Sequence, residues 1–402
     1  MPLRANWADF DSELYRCGFR PFFLLTSVYA TLLFGFGDLW LSIANTPLSG
    51  QALPIESVDI WFVHELVFGV GMCGLSGFLL TAFPAWTGSN KVESKKLGML
   101  VVSWMLARIS AWLLPIAGEW PLVMTNLLFI TLLLKFLAPS IVERKHRKHR
   151  IFYYQLCLLT SVVFIGYYFW LTGNLATTLT LMDTSVGLLI VLLLTVLSRM
   201  SMVIVNHAIR RYQVPDVCHV AKPTRRNFAI SIILGYLAVN IAMGGGSISG
   251  WLALASAAAV LNILNDWHLP KVWRDVYVQL GYSLYILIAV GFSVIGVNAI
   301  LGQTENMTAM SHVFSGVMSA ALLLIMLVVG QKHTGHQLSY SPSIKLMMML
   351  VVLPLVAQFV DLFGLDISFG KSDDIAMVMS FVIYFIVFRS TLASTRIDGK
   401  EG

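Results

Sequence analysis

The stretch WFVHELVFGVGMCGLSGFLL, residues 61–80, is long and apolar enough to cross a membrane as one helix. Such a helix needs about 20 apolar residues. The whole chain of 402 residues repeats this character, because 57% of its residues are hydrophobic and 12% are charged. A soluble domain has about 25% charged residues. The sequence therefore predicts an all-α membrane protein in contact with the lipid bilayer.

Twelve such apolar segments follow one another, and we expect each to be a transmembrane helix of a single membrane domain, residues 1–402. The predicted spans are residues 19–41, 58–84, 96–115, 120–141, 151–171, 179–205, 227–243, 248–265, 275–298, 308–330, 343–363 and 374–393. Arg20, at the start of the first span, is expected to extend to the lipid headgroups.

The basic residues predict that both termini are cytoplasmic. With the N-terminus inside, all 27 lysines and arginines except Arg108, Lys135 and Lys371 fall in inner loops, at inner helix ends or in the termini. Basic residues concentrate on the cytoplasmic side of multi-pass proteins. The net charge of +6 thus reflects orientation and gives no support for nucleic-acid binding.

Two histidines lie a few residues inside the predicted outer ends of their spans, His64 in the second and His312 in the tenth. Neutral imidazole ligates iron, copper and zinc, and two imidazoles on facing helices can hold one haem from both sides. The alternative is two unrelated histidines, each bonded to a nearby carbonyl.

Arg108, in the outer half of the third span, needs an anion if it is buried. Glu65 could supply that anion, and so could the propionates of a haem. The simpler interpretation is an Arg108–Glu65 pair that links two helices.

A second polar group is predicted at the inner side. It consists of Arg199 and His207 near the end of the sixth span, and of His333 and His336 in GQKHTGHQL. A metal site and a solvated helix end both fit this pattern.

Several segments together resemble the NnrS family, which comprises bacterial haem- and copper-containing membrane proteins linked to nitric oxide. The similar segments are YRCGFRPFFLL (15–25), VHELVFGVGMCGLSGFLLTAFPAWTG (63–88), WMLARISA (104–111) and SHVFSGVMSAALLLIMLVVGQKHTG (311–335). The residues in matching positions are Arg20, His64, Glu65, Arg108, His312 and His333.

The resemblance implies a protein of the bacterial inner membrane that acts in nitric oxide metabolism or in resistance to nitrosative stress. It implies haem b, held by His64 and His312 with Glu65 and Arg108 beside it, and possible copper. Gln279 stands where the family tends to have histidine, so His207, His333 and His336 are the weaker metal candidates. Whether such a protein is an enzyme stays open.

Two other functions fit the sequence. Twelve spans with a basic central loop are typical of a secondary transporter of major-facilitator layout. A structural subunit of a larger complex would use its polar residues to hold helices together. A visible spectrum separates a haem protein from both.

Reporter fusions test the predicted orientation. A reporter that is active in the cytoplasm should be active when fused after Gly402 and inactive when fused near Asp366, in the last predicted outer loop. Equal activity at the two positions would contradict the twelve-span topology.

Overall fold

The computed structural model describes residues 9–44, 55–141, 149–267, 270–302, 309–362 and 372–399. In these residues every regular element is a helix, which confirms the predicted all-α class. The α-helices are α1 (Phe19–Ala44), α2 (Ile55–His64), α3 (Met72–Thr87), α4 (Ser94–Trp112), α5 (Leu114–Ala117), α6 (Glu119–Leu137), α7 (Arg150–Leu171), α8 (Leu175–Arg211), α9 (Pro223–Met243), α10 (Ser247–Ile263), α11 (Val276–Ile300), α12 (Ala309–His333), α13 (Pro342–Leu362) and α14 (Ser372–Ala393). The predicted loops around Asp366 and residues 142–148 lie outside the described residues.

Every predicted span overlaps these helices, and the second covers both α2 and α3 together with the residues between them. Ten helices in the described part of the chain are long and apolar enough to cross a membrane, so the protein is a multi-pass membrane protein. Helix α4 is not among the ten, because Lys95, Lys96 and Arg108 make it too polar. In α13 the apolar stretch that qualifies, Pro342–Val356, is shorter. The number twelve and the cytoplasmic termini stay predictions.

The chain divides into two compact units. The first comprises Met1–Met182, Met326–Leu350 and Lys371–Gly402, and the second comprises Asp183–Ile325 and Val351–Gly370. In the first unit α1 packs against α3 and against α14, while α6 packs against α4 and α7. In the second unit α10 packs between α9 and α11.

Glycines allow α10 and α11 to approach closely in the second unit. A Cβ atom placed on Gly250 would lie 2.8 Å from the carbonyl oxygen of Gly296, and one placed on Gly296 would lie 2.8 Å from that of Gly250. Small residues at such crossings are typical of helix pairs in membranes, where close backbone packing replaces hydrophobic burial as the source of stability.

The second predicted span has a widened turn. Between α2 and α3, residues Glu65–Gly71 are π-helical, so the span runs without a break from Ser57 to Thr87. Such π-helical turns are rare and frequently occur at functional sites. The turn lies against α1, where the ring of Tyr29 occupies the space in which a Cβ atom on Gly69 would lie.

We expect Gly69→Ala to lower the thermal stability of the purified protein. The added methyl group must displace the buried Tyr29 ring, and overpacking of this kind typically costs about 1–3 kcal/mol. Gly235→Ala in α9 is the matched control, because a Cβ atom there meets no atom within 4 Å. Equal melting temperatures for the two variants would show that the Tyr29 contact is not a tight one.

Candidate functional site

Glu65, at the start of the π-helical turn, is the centre of a buried polar network in the first unit. Its side chain is fully buried. One carboxylate oxygen, Oε2, accepts hydrogen bonds from the hydroxyl of Tyr29 and from Nη1 of Arg108, the latter at 2.6 Å. The other, Oε1, lies 2.7 Å from Nδ1 of His64. Three donors therefore surround one carboxylate.

Arg108, which pairs with Glu65, also forms a hydrogen bond with Asn126. Its Nη2 donates to Oδ1 of Asn126 at 2.5 Å, and Asn126 in turn donates to the carbonyl of Leu122, which fixes the orientation of the amide. The guanidinium carbon lies 5.8 Å from the ring centroids of both Tyr29 and Trp104. The predicted proximity of Arg108 to Glu65 is confirmed, and the pair links α4 to the second span.

His64 is fully buried, and both of its ring nitrogens have partners. Nδ1 faces the carboxylate of Glu65, and Nε2 lies 2.6 Å from the hydroxyl of Tyr167. A carboxylate accepts a hydrogen bond, so the network assigns the proton to Nδ1 and leaves the lone pair on Nε2. This neutral tautomer, with Nδ1–H on a carboxylate, is the form in which histidine usually ligates a metal.

Aromatic side chains surround the network. The Trp170 ring lies 6.3 Å from that of His64, and its Nε1 is buried without a hydrogen-bond partner in the described structure. Trp112 donates to the hydroxyl of Tyr29 at 3.0 Å, and Trp61 donates to the carbonyl of Ala111 at 2.9 Å. These rings enclose the ionic groups in a surrounding of low polarity.

The second predicted haem ligand lies outside this description. His312 belongs to α12 and to the second unit, and its side chain is not among the described ones. The pairing of His64 with His312 stays a prediction.

The inner histidines are distributed over both units. His207 lies in α8 in the second unit, whereas His333 and His336 belong to the first. Helix α12 ends at His333, and Gly335 turns the chain with a φ of +88°, so His336 does not share a helical face with His333. The His336 Nδ1 atom instead lies 2.9 Å from the hydroxyl of Thr334.

These histidines form no ready metal centre in the described residues, which contain no group of three or more His, Cys, Asp or Glu side chains that could hold a metal ion. Gln279 is exposed and donates to the carbonyl of Trp273 at 2.9 Å. A copper site at His207, His333 or His336 stays a prediction.

Sequence reasoning missed three members of the network, namely Tyr29, Asn126 and Tyr167. Each is a buried side chain in an apolar helix. The available signal was the presence of a polar group inside a predicted span, which is costly unless the group is hydrogen-bonded. Asn126 is the clearest case, because apolar residues dominate the span around it.

A helical multi-pass membrane protein with a buried glutamate–arginine–histidine network is the class that these observations define. The family model described as NnrS protein matches residues 13–396, nearly the whole chain, and the chain belongs to the NnrS family. No curated protein and no solved structure matches the chain significantly.

A double-mutant cycle tests the ion pair. Arg108→Met leaves the carboxylate of Glu65 buried without its cation, and loss of one partner of a buried pair typically costs about 3–5 kcal/mol. The double variant Arg108→Met/Glu65→Gln removes both charges and should unfold at a higher temperature than Arg108→Met alone. Thermal melting in detergent measures the unfolding temperature of the single and of the double variant.

Lys96→Met is the matched control for this cycle. Lys96 pairs with Glu93 at 2.7 Å on an exposed surface, where such a pair contributes no more than about 1 kcal/mol. If Arg108→Met lowered the melting temperature no more than Lys96→Met does, the buried pair would not stabilise the fold.

Proposed function

We propose that this protein holds a b-type haem in the predicted outer half of the membrane, with His64 as a ligand of its iron, and acts in nitric oxide metabolism or in resistance to nitrosative stress. The observation that carries the proposal is the 2.7 Å contact of His64 Nδ1 with the buried carboxylate of Glu65. Membership of the NnrS family supports it, because the resemblance implies a haem protein linked to nitric oxide.

The donor set of the site fits a haem better than a metal ion bound by protein alone. A porphyrin supplies four nitrogens to the iron, so one or two side chains complete the ligand set. A site formed by protein alone needs three or four ligands, as in typical zinc centres. His64 and the phenol of Tyr167 provide few donors, which favours the haem.

The network gives each side chain a separate task. Glu65 keeps the proton of His64 on Nδ1 and thereby keeps Nε2 available as the ligand atom. Arg108 compensates the charge of Glu65, so that the carboxylate stays ionised although it is fully buried. The hydroxyl of Tyr167 lies 2.6 Å from Nε2 of His64, and it would have to move away for Nε2 to hold the iron.

The cofactor, when bound, supplies an iron that takes up nitric oxide in its ferrous state. The surrounding protein excludes water, since His64, Glu65 and Arg108 are at most 4% exposed. With His312 as a second protein ligand, the site would suit electron transfer. With His64 as the sole protein ligand, it would suit the binding of nitric oxide.

The visible spectrum of the detergent-solubilised protein, produced with an ample supply of haem, tests the proposal. We expect the sharp reduced bands of a b-type haem, and their loss in His64→Gln. His312→Gln should also abolish the low-spin spectrum if both histidines bind one iron. A colourless wild-type protein would contradict the haem assignment.

His219→Gln is the matched control variant. His219 is also buried, and burial lowers the pKa of its imidazole, which is therefore neutral like that of His64. Its Nε2 lies 3.1 Å from the hydroxyl of Ser201, and it carries no predicted cofactor role. The haem spectrum should survive His219→Gln. Equal loss in both histidine variants would indicate a general folding defect.

A further inference from the structure

Arg20, in the first turn of α1, is fully buried. The expectation that it extends to the lipid headgroups is therefore wrong. Its Nη1 donates to the carbonyl oxygens of Leu392 at 2.8 Å and of Ser394 at 2.5 Å, at the C-terminal end of α14. These carbonyls attract a cation because they have no partner within their own helix. They are the hydrogen-bond acceptors for Nη1, which is one of the three guanidinium nitrogens of Arg20.

The other two guanidinium nitrogens of Arg20, Nε and Nη2, are buried without a hydrogen-bond partner in the described structure. Their N–H groups point the same way from one edge of the planar guanidinium. This edge is the one that binds two oxygens of a carboxylate or phosphate side by side. The donors are therefore arranged for a two-oxygen anion, and buried donors that lack an acceptor are unfavourable.

The acidic side chains near Arg20 already have cationic partners. Glu13 pairs with Arg16 at 3.1 Å, and Asp398 pairs with Arg396 at 2.6 Å. In the described residues no carboxylate forms an ion pair with Arg20. The charge of Glu13 favours the charged guanidinium from a distance, while those of Arg16 and Arg396 oppose it.

Aromatic rings form one wall of this region. The ring of Phe19 lies 5.6 Å from the guanidinium carbon of Arg20, and the ring of His333 packs on Phe19 with centroids 5.8 Å apart. All of these residues belong to the first unit. The wall lowers the local polarity, which strengthens the attraction between a guanidinium and an anion.

We propose that Nε and Nη2 of Arg20 bind a phosphate-type oxyanion at the predicted inner end of α1. A free phosphate ion and the headgroup of an anionic phospholipid share this chemistry. The site is separate from the His64 network and does not depend on the haem proposal.

Thermal melting of delipidated protein at constant ionic strength tests the proposal. Inorganic phosphate is added in increasing concentration, with chloride as the control anion. Phosphatidylglycerol is added in mixed micelles, with diacylglycerol as the control lipid that lacks the phosphate headgroup. We expect one of the two phosphate sources to raise the melting temperature in a saturable manner. Stabilisation by inorganic phosphate assigns a free anion, and stabilisation by phosphatidylglycerol alone assigns a lipid.

Arg20→Lys keeps the positive charge but removes the paired donors. We expect it to raise the half-saturating concentration by roughly tenfold or more, because the bidentate contact is lost. Arg16→Lys is the matched control, since the side chain of Arg16 is 55% exposed, and it should respond like the wild type. An unchanged response in Arg20→Lys would overturn the proposal.

Native mass spectrometry of the wild-type protein provides a readout that does not depend on the variant folding. After incubation with each phosphate source, the proposal predicts one bound phosphate or one bound phospholipid per chain. The proposal would be overturned if the protein carried no bound phosphate or phospholipid after either incubation and showed no saturable stabilisation.

Discussion

A carboxylate buried in an apolar helix has to be neutralised and hydrogen-bonded, and Glu65 imposes this requirement on its surroundings. Its partners come from separate elements, since Tyr29 lies in α1, Arg108 in α4 and His64 at the end of α2. Loss of a partner strands a charge in a region that water does not reach. The relative positions of these helices within the first unit are thus tied to one side chain.

The same requirement determines the chemistry of His64. The carboxylate accepts a hydrogen bond from Nδ1–H, and the imidazole keeps a lone pair on Nε2, next to the hydroxyl of Tyr167. The π-helical turn that begins at Glu65 allows the close approach of α1, because Gly69 leaves room for the ring of Tyr29. The tautomer of His64 therefore results from the way in which a buried charge is compensated.

The sequence predicted much of this architecture, for identifiable reasons. Apolar runs of about 20 residues indicate helices directly, and a buried arginine implies an anion, so the Arg108–Glu65 contact could be anticipated. Tyr29 and Tyr167 are neutral and follow no periodic pattern, so their roles emerge from the packing. Arg20 was expected at the membrane surface, but carbonyls about 370 residues away along the chain bury it. Such long-range contacts leave no local signal.

The most direct test of the central claim is an electron cryo-microscopy structure of the protein purified with its native cofactors. We expect a porphyrin whose iron is bound by Nε2 of His64, with Nδ1 of His64 still on the carboxylate of Glu65 and the Tyr167 hydroxyl moved away. A cofactor located elsewhere, with His64 still bonded to Tyr167, would show that the network has a structural role and does not bind the metal.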